Sequence, residues 1–131
     1  MKKLLLFTGI AAFLLCIAPG NAAGEETRIA VAATDNTTQA VVSAEAARCP
    51  YYLIFDGDGI FVEAIDNPQK NVRRSAGPSA ARFLTEKGMT MVIAVKFGEK
   101  MADMLKRNGI VCFAYEGGVG EAIKSALKGQ R

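Results

Sequence analysis

Hydrophobic and polar residues alternate in blocks along the chain, and each block has the length of one strand or one helix. Arg28–Ala33 is an apolar run with β-branched residues that ends at Thr34, which is typical of a strand buried on both faces. Tyr51–Asp56 and residues 60–65 are two further strand-like runs, and the Gly57-Asp58-Gly59 turn between them predicts a hairpin. Residues 28–65 are therefore predicted to form three strands.

The pattern changes to a helical period after the hairpin. Apolar residues recur at helical spacing from position 76 to position 84, with Pro78 in the first turn and Gly88 at the end. Further strands are predicted at 90–95 and 110–115, and further helices at 99–108 and 119–128. A hairpin followed by crossover units predicts an α/β fold: a ribonuclease-H-like mixed five-stranded sheet of order 3-2-1-4-5, with the second strand antiparallel and helices packed on its faces.

The first 22 residues have the pattern of a secretory signal peptide. Lys2 and Lys3 precede an apolar stretch over residues 4–18, and the small residues that follow indicate cleavage after Ala22 or Ala23. The stretch is shorter than the roughly 20 residues that span a bilayer core, so we expect no stable membrane anchor after cleavage. The sequence thus predicts an exported, periplasmic protein with a signal peptide (1–22), a polar leader (23–27) and one domain (28–131).

Composition narrows the possible chemistry. The 131 residues have room for one domain, and histidine is absent, which excludes Ser-His-Asp and Cys-His nucleophiles, HExxH hydrolases and Cys2His2 fingers. Loss of Lys2 and Lys3 with the signal lowers the formal charge from +3 to +1, so no nucleic-acid partner is expected.

A local basic cluster, Lys70, Arg73 and Arg74, is either a solvated loop or part of an anion-binding rim.

Ligands of open α/β sheets bind beyond the carboxyl ends of the parallel strands, where loops lead into helix N-termini. Four loops are predicted to meet at that edge, and the start of the antiparallel second strand lies there too. Glycines at helix entries are either simple turn residues or places where a backbone approaches an anion, and both interpretations remain open. The candidate binding residues are Asp35, Asn36, Arg48, Gly77, Lys96, Phe97, Gly98, Gly117 and Gly118.

The two cysteines of the mature chain are predicted not to pair. Cys49 and Cys112 fall on the second and fifth strands, which lie roughly 14 Å apart at about 4.8 Å per strand, whereas a disulfide needs Cα atoms within about 7 Å. Cys112 is interpreted as a core residue. Cys49, which precedes Pro50 at the predicted edge, is either a ligand to a soft metal or cluster or a half-buried residue at the end of a strand.

Several short motifs resemble the dinitrogenase iron–molybdenum cofactor biosynthesis family, in matching order over about residues 28–127. They include Arg28-Ile29-Ala30-Val31-Ala32, Ala47-Arg48-Cys49-Pro50, Asp66-Asn67-Pro68 and the glycine-containing entries to the three helices. The resemblance implies a small carrier domain, without enzymatic activity, for a metal–sulfur cofactor such as an iron–molybdenum cluster or its precursor, or a molybdenum–copper sulfide cluster in relatives. It also implies a cluster donor or acceptor protein as a partner.

Two features depart from that family. Members commonly have a Ser-Pro-His-Phe-Gly-Arg-like stretch, whereas residues 43–48 read Ser-Ala-Glu-Ala-Ala-Arg, without the histidine or the glycine. We therefore consider Cys49 as a substitute metal ligand on the basis of its position. The second departure is the predicted export.

Two other functions remain as alternatives. One is an exported interaction module, or a small-anion binding module, that has kept the fold and lost the cofactor. The other is a metal-dependent nuclease, which is least favoured because Asp35 is expected at the opposite end of the sheet from Asp56 and Asp58.

Overall fold

The computed structural model describes residues 26–129, which form one five-stranded sheet and three helices. The elements are β1 (Arg28–Ala33), β2 (Tyr51–Asp56), β3 (Phe61–Asp66), α1 (Ala76–Glu86), β4 (Met91–Ala94), α2 (Glu99–Arg107), β5 (Val111–Ala114) and α3 (Val119–Gly129). The predicted signal peptide lies outside the described residues. Within residues 26–129, no helix has the length and apolar character needed to cross a membrane.

The strand order is β3-β2-β1-β4-β5. β2 runs antiparallel to both of its neighbours, and β1, β4 and β5 are mutually parallel, so the predicted mixed sheet is confirmed. Because β3 reverses β2, it runs in the same direction as β1. β1, β3, β4 and β5 therefore end at one side of the sheet, which we call the carboxyl edge, and β2 begins there.

Two apolar cores lie on the two faces of the sheet. Alternate residues of β1 supply them, because successive side chains of a strand point to opposite faces. Ala30 and Ala32 contribute to the core under α1 and α2, and Ile29 and Val31 contribute to the core under α3. β1 is consequently buried on both faces, as its apolar run predicts, and all three helices begin at the carboxyl edge.

The observed strands β4 and β5 are each shorter by one residue at both ends than the predicted runs. Val95 leaves the ladder because its amide donates to the carbonyl of Ser43, which belongs to neither neighbouring strand. The end of β4 is thus determined by a loop that crosses it and not by its own sequence.

Two valines test the assignment of β4 as an interior strand and β5 as an edge strand of the sheet. Val92 on β4 is 0% exposed, and Val111 on the edge strand β5 is 48% exposed. We expect Val92→Ala to lower the free energy of unfolding by about 2–3 kcal/mol, since it removes buried methyl groups and leaves a cavity, and Val111→Ala by less than about 1 kcal/mol. Urea unfolding measures both, and equal losses would contradict the assignment.

Candidate functional site

A loop lies across the carboxyl edge and uses many of its backbone groups. This crossing segment, residues 40–46, forms isolated bridges to Ala33, Lys96 and Gly118. The amide of Val42 donates to Gly117 O at 2.8 Å, and the amide of Ala46 donates to Lys96 O at 3.1 Å. The loops predicted to meet around one site are therefore partly bonded to the crossing segment instead.

Two adjoining cavities remain open beside the crossing segment, with volumes of about 380 and 350 Å³. They share Arg48, Gly77 and Gly98, and we call them together the Arg48 groove. The structure thus brings together five of the predicted binding residues. The other lining residues are Ser75, Ala76, Pro78, Glu99, Lys100 and Met101 in the first cavity and Glu45, Ala46, Ala47, Lys96 and Phe97 in the second.

The helices α1 and α2 both begin at this groove. Their N-cap residues, Ser75 and Gly98, make no side-chain capping hydrogen bond. A Cβ atom on Gly77 would lie 3.3 Å from Met101 Cβ and 3.5 Å from Met101 N, so the glycine allows the two first turns to pack closely. Amides in a first helical turn have no intrahelical acceptor and lie at the positive end of the helix dipole. The groove is therefore suited to an anion.

Arg48 is held in the groove by its own side-chain hydrogen bonds. Its Nε donates to Val72 O at 3.1 Å, and its Nη2 donates to Arg73 O at 3.0 Å. A guanidinium carries five N–H donors, so these two bonds leave three others for a ligand. The residue is exposed, and its charge faces solvent at the groove.

The side chains that line the groove include three cationic and two acidic groups. The cations are those of Arg48, Lys96 and Lys100, and the acids are Glu45 and Glu99. Within residues 26–129, no three His, Cys, Asp or Glu side chains lie close enough to hold a metal ion together. These donors fit an anion better than a bare metal cation.

The structure places Cys49 in the core and not at the mouth of the groove, contrary to the sequence-based placement. Its side chain is 1% exposed, and Sγ lies 3.6 Å from Ala46 O and 3.7 Å from Asn67 Nδ2. Cys49 lies in the irregular segment before β2, and its side chain joins those of Ala46 and Tyr52 in the core under α1 and α2, whereas Arg48 is exposed. Burial raises the pKa of the thiol to about 12, and the weaker opposing effects include hydrogen bonds to Tyr52 and Asn67. Since the thiolate is the ligand form, this position opposes metal binding.

The remaining predicted residues do not line the Arg48 groove. Asp35 and Asn36 are exposed after β1, where Asp35 Oδ1 accepts a hydrogen bond from the amide of Asn36 at 2.7 Å. Gly117 has φ of 145°, and a Cβ there would lie 3.0 Å from the Tyr115 ring. Gly118 pairs with the crossing segment. Local turn geometry accounts for these four positions, and their role as ligands stays a prediction.

The other cysteine and the acidic residues lie where the sequence places them. Cys112 is half-buried against the core, and within residues 26–129 both cysteines are free. Asp56 Oδ1 accepts hydrogen bonds from the amides of Asp58 at 2.9 Å and Ile60 at 3.0 Å, so it stabilises the hairpin turn. Asp56 pairs with Arg28 at the start of β1, whereas Asp35 follows its end. The carboxylates do not gather as a nuclease site requires.

The profile of the dinitrogenase iron-molybdenum cofactor family matches residues 27–129. The chain belongs to this family. A search of curated protein sequences finds no match.

Solved structures agree with the assignment to this family. The apo form of the orange protein from Desulfovibrio gigas is 26% identical, with 82% of this chain and 92% of that chain covered and a TM-score of 0.74. A candidate NifB protein from Thermotoga is 29% identical, with coverage of 79% and 90% and a TM-score of 0.67. A candidate dinitrogenase from Methanocaldococcus jannaschii, at 16% identity, coverage of 80% and 91% and a TM-score of 0.56, shows the shared fold alone.

Sequence reasoning missed three residues that shape the site of this family member. Ser75 is the non-glycine residue with a left-handed backbone (φ 57°) among those described, and this turn leads the chain into α1. Lys100 reaches the groove from the first turn of α2. Asn67 is fully buried, and its side chain donates to the carbonyls of Ala47 and Cys49, on either side of Arg48. Its place in the Asp66-Asn67-Pro68 motif is the one feature of the sequence that could have indicated this role.

The burial of Cys49 predicts its reactivity. Burial raises the pKa of the thiol to about 12, so the reactive thiolate is scarce at pH 8, and the side chain is 1% exposed. We expect a thiol reagent at pH 8 to modify Cys112 in the folded protein, and Cys49 only after unfolding. The rates are measured on Cys49→Ser and Cys112→Ser proteins, each retaining one of these two thiols. Rapid modification of Cys49 in the folded Cys112→Ser protein would contradict the burial.

Proposed function

We propose that this protein binds and carries an anionic metal–sulfur cofactor in the Arg48 groove. The cargo is an iron–molybdenum cluster or its precursor, or another molybdenum, iron or copper sulfide cluster. The observation that carries the proposal is the convergence of two uncapped helix N-termini on Arg48. Family membership and the likeness to the apo orange protein support a cofactor-related role.

Hydrogen bonds to the outer sulfides are the main interaction in this proposal. Amides of the first turns of α1 and α2 would donate to them, together with the free N–H groups of Arg48 and the ammonium of Lys96. Each charge-assisted bond contributes about 1.5–3 kcal/mol net, and association itself costs several kcal/mol. We therefore expect reversible binding, which suits a cargo that must be passed on.

Carriage, and not catalysis, fits the side chains of the groove. A nucleophile or general base needs a partner that orients it within hydrogen-bond reach. The acidic groups that line the groove, Glu45 and Glu99, are exposed on the surface, and the Cys49 thiol is buried outside the cavities. Beside these two glutamates, the cationic side chains and helix amides that line the groove are donors, which would hold an anion without changing it.

Export and partners belong to the same proposal. The signal-like pattern of residues 1–22 would place the carrier in the periplasm, where a donor or acceptor protein exchanges the cluster with it. The groove is open to solvent at Arg48, Lys96 and Gly98, so a partner can reach a bound cluster directly.

Tetrathiomolybdate, a doubly charged molybdenum sulfide, tests the binding site. We expect wild-type protein to bind it and Arg48→Gln to bind it about 10- to 100-fold more weakly, as one charge-assisted contact is lost. Arg82→Gln is the matched control, because Arg82 is also exposed and lies on α1 away from the groove lining. Anaerobic calorimetric titration gives the three Kd values.

Two results would contradict parts of this proposal. Equal affinities of wild type, Arg48→Gln and Arg82→Gln would show that the cargo does not bind in the Arg48 groove. Absence of binding, together with a colourless and metal-free protein isolated anaerobically from its native fraction, would remove the cargo itself. The alternative of an exported module for small anions or a protein partner would then take its place.

The export prediction is tested by cell fractionation and intact-protein mass spectrometry. We expect the full-length gene product to accumulate in the periplasmic fraction with an intact mass that begins at Ala23 or Gly24, because the signal is cleaved. Deletion of residues 4–18 should keep the protein in the cytoplasm with its N-terminus uncleaved. Recovery of uncleaved wild-type protein from the cytoplasm would refute export.

A further inference from the structure

Asn67 is a polar side chain with no exposure to solvent. It follows β3, and both the amide and the oxygen of its carboxamide form hydrogen bonds to the backbone. Nδ2 donates to Ala47 O at 2.9 Å and to Cys49 O at 2.8 Å, and Oδ1 accepts from the amide of Gln69 at 2.9 Å. Its own amide donates to Pro50 O at 3.1 Å. One residue thus fixes three backbone carbonyls in the segment 47–50.

The two carbonyls held by Nδ2 belong to the residues on either side of Arg48. Ala47 O belongs to the peptide group that joins Ala47 to Arg48, and Cys49 O belongs to the peptide group between Cys49 and Pro50, so a single side chain holds the backbone before Arg48 and after Cys49. The guanidinium of Arg48 then reaches back to Val72 and Arg73, in the loop that Asn67 begins. The segment around Arg48 and the loop 67–75 are thus joined at two places, by the side chain of Asn67 and by the guanidinium of Arg48.

We propose that Asn67 is the positioning residue for Arg48. It holds the backbone that flanks Arg48, so that the guanidinium bonds to Val72 O and Arg73 O and Arg48 lines the groove together with the first turns of α1 and α2, and its effect on ligand binding rests on the function proposed above. An asparagine is suited to this task because it has two donors and one acceptor on a short side chain. Aspartate would set a carboxylate against two carbonyl oxygens, and serine has one donor.

The first test needs no ligand. The Nε–H of Arg48 gives its own NMR signal, identified by its loss in Arg48→Gln. In wild type we expect this N–H to be as rigid as the folded backbone, whereas the Nε–H of the exposed Arg82 is mobile. In Asn67→Ser and Asn67→Asp, hydrogen exchange at Arg48 Nε should accelerate at least tenfold. Equal mobility of Arg48 and Arg82 in wild type would overturn the proposal even if neither Asn67 variant folds.

A matched control separates positioning from loss of stability. Thr90 Oγ1 donates to Arg28 O and accepts from Arg28 N, both at 3.0 Å, at the opposite end of β1 from the groove. Thr90→Val removes these side-chain bonds and should lower Tm without changing exchange at Arg48 Nε. If Thr90→Val accelerates that exchange as much as Asn67→Ser does, the effect is general loosening and the proposal is overturned.

A double-mutant cycle with tetrathiomolybdate tests the link to binding. We expect Asn67→Ser to weaken binding about fivefold or more in the wild-type background and less than twofold in Arg48→Gln, because its effect passes through Arg48. The same fold-loss in both backgrounds would overturn positioning. If wild type does not bind the probe and the native protein is also metal-free, the proposed function fails, and the NMR comparison alone decides whether Asn67 positions Arg48.

Discussion

The backbone hydrogen bonds of the crossing segment decide what the carboxyl edge can do. In an open sheet with parallel strands, loops and helix N-termini at this edge are all available to a ligand. Here residues 40–46 bond to the end of β1, to Lys96 after β4 and to the loop before α3. The helix N-termini that border the cavities are those of α1 and α2, and the Arg48 groove is the part of the edge left open between them.

Net positive charge is not concentrated at the groove. Lysine and arginine face it together with two glutamates, so its preference for anions depends on oriented amides and one anchored guanidinium more than on net charge. Such a site discriminates by geometry. A ligand must present acceptors at several points at once, as the outer sulfides of a polynuclear cluster do.

Strand order could be predicted from the sequence because it follows from the alternation of long apolar runs and from the turn at Gly57-Asp58-Gly59. The crossing segment could not, since it pairs through single-residue bridges that leave no periodic pattern. Cys49 was misplaced for a related reason. Position along the chain brings it to the edge, but the irregular segment before β2 has no periodic pattern that predicts side-chain direction, and the thiol lies in the core with Ala46 and Tyr52. Asn67 is recognisable in the sequence only as part of the Asp66-Asn67-Pro68 motif, and its side-chain hydrogen bonds become evident only in the folded chain.

The central position of β1 has a consequence during synthesis. Its antiparallel partner follows soon after it, but its parallel partner is β4, and Arg28 contacts Thr90 across 62 residues of chain. A nascent chain that has emerged only through β3 can form a three-stranded antiparallel sheet whose most apolar strand is an open edge. Such edges are templates for pairing with other chains, and long-range parallel pairing is slow. β1, which contributes to both cores, therefore stays an unpaired edge until β4 has been synthesised and pairs with it.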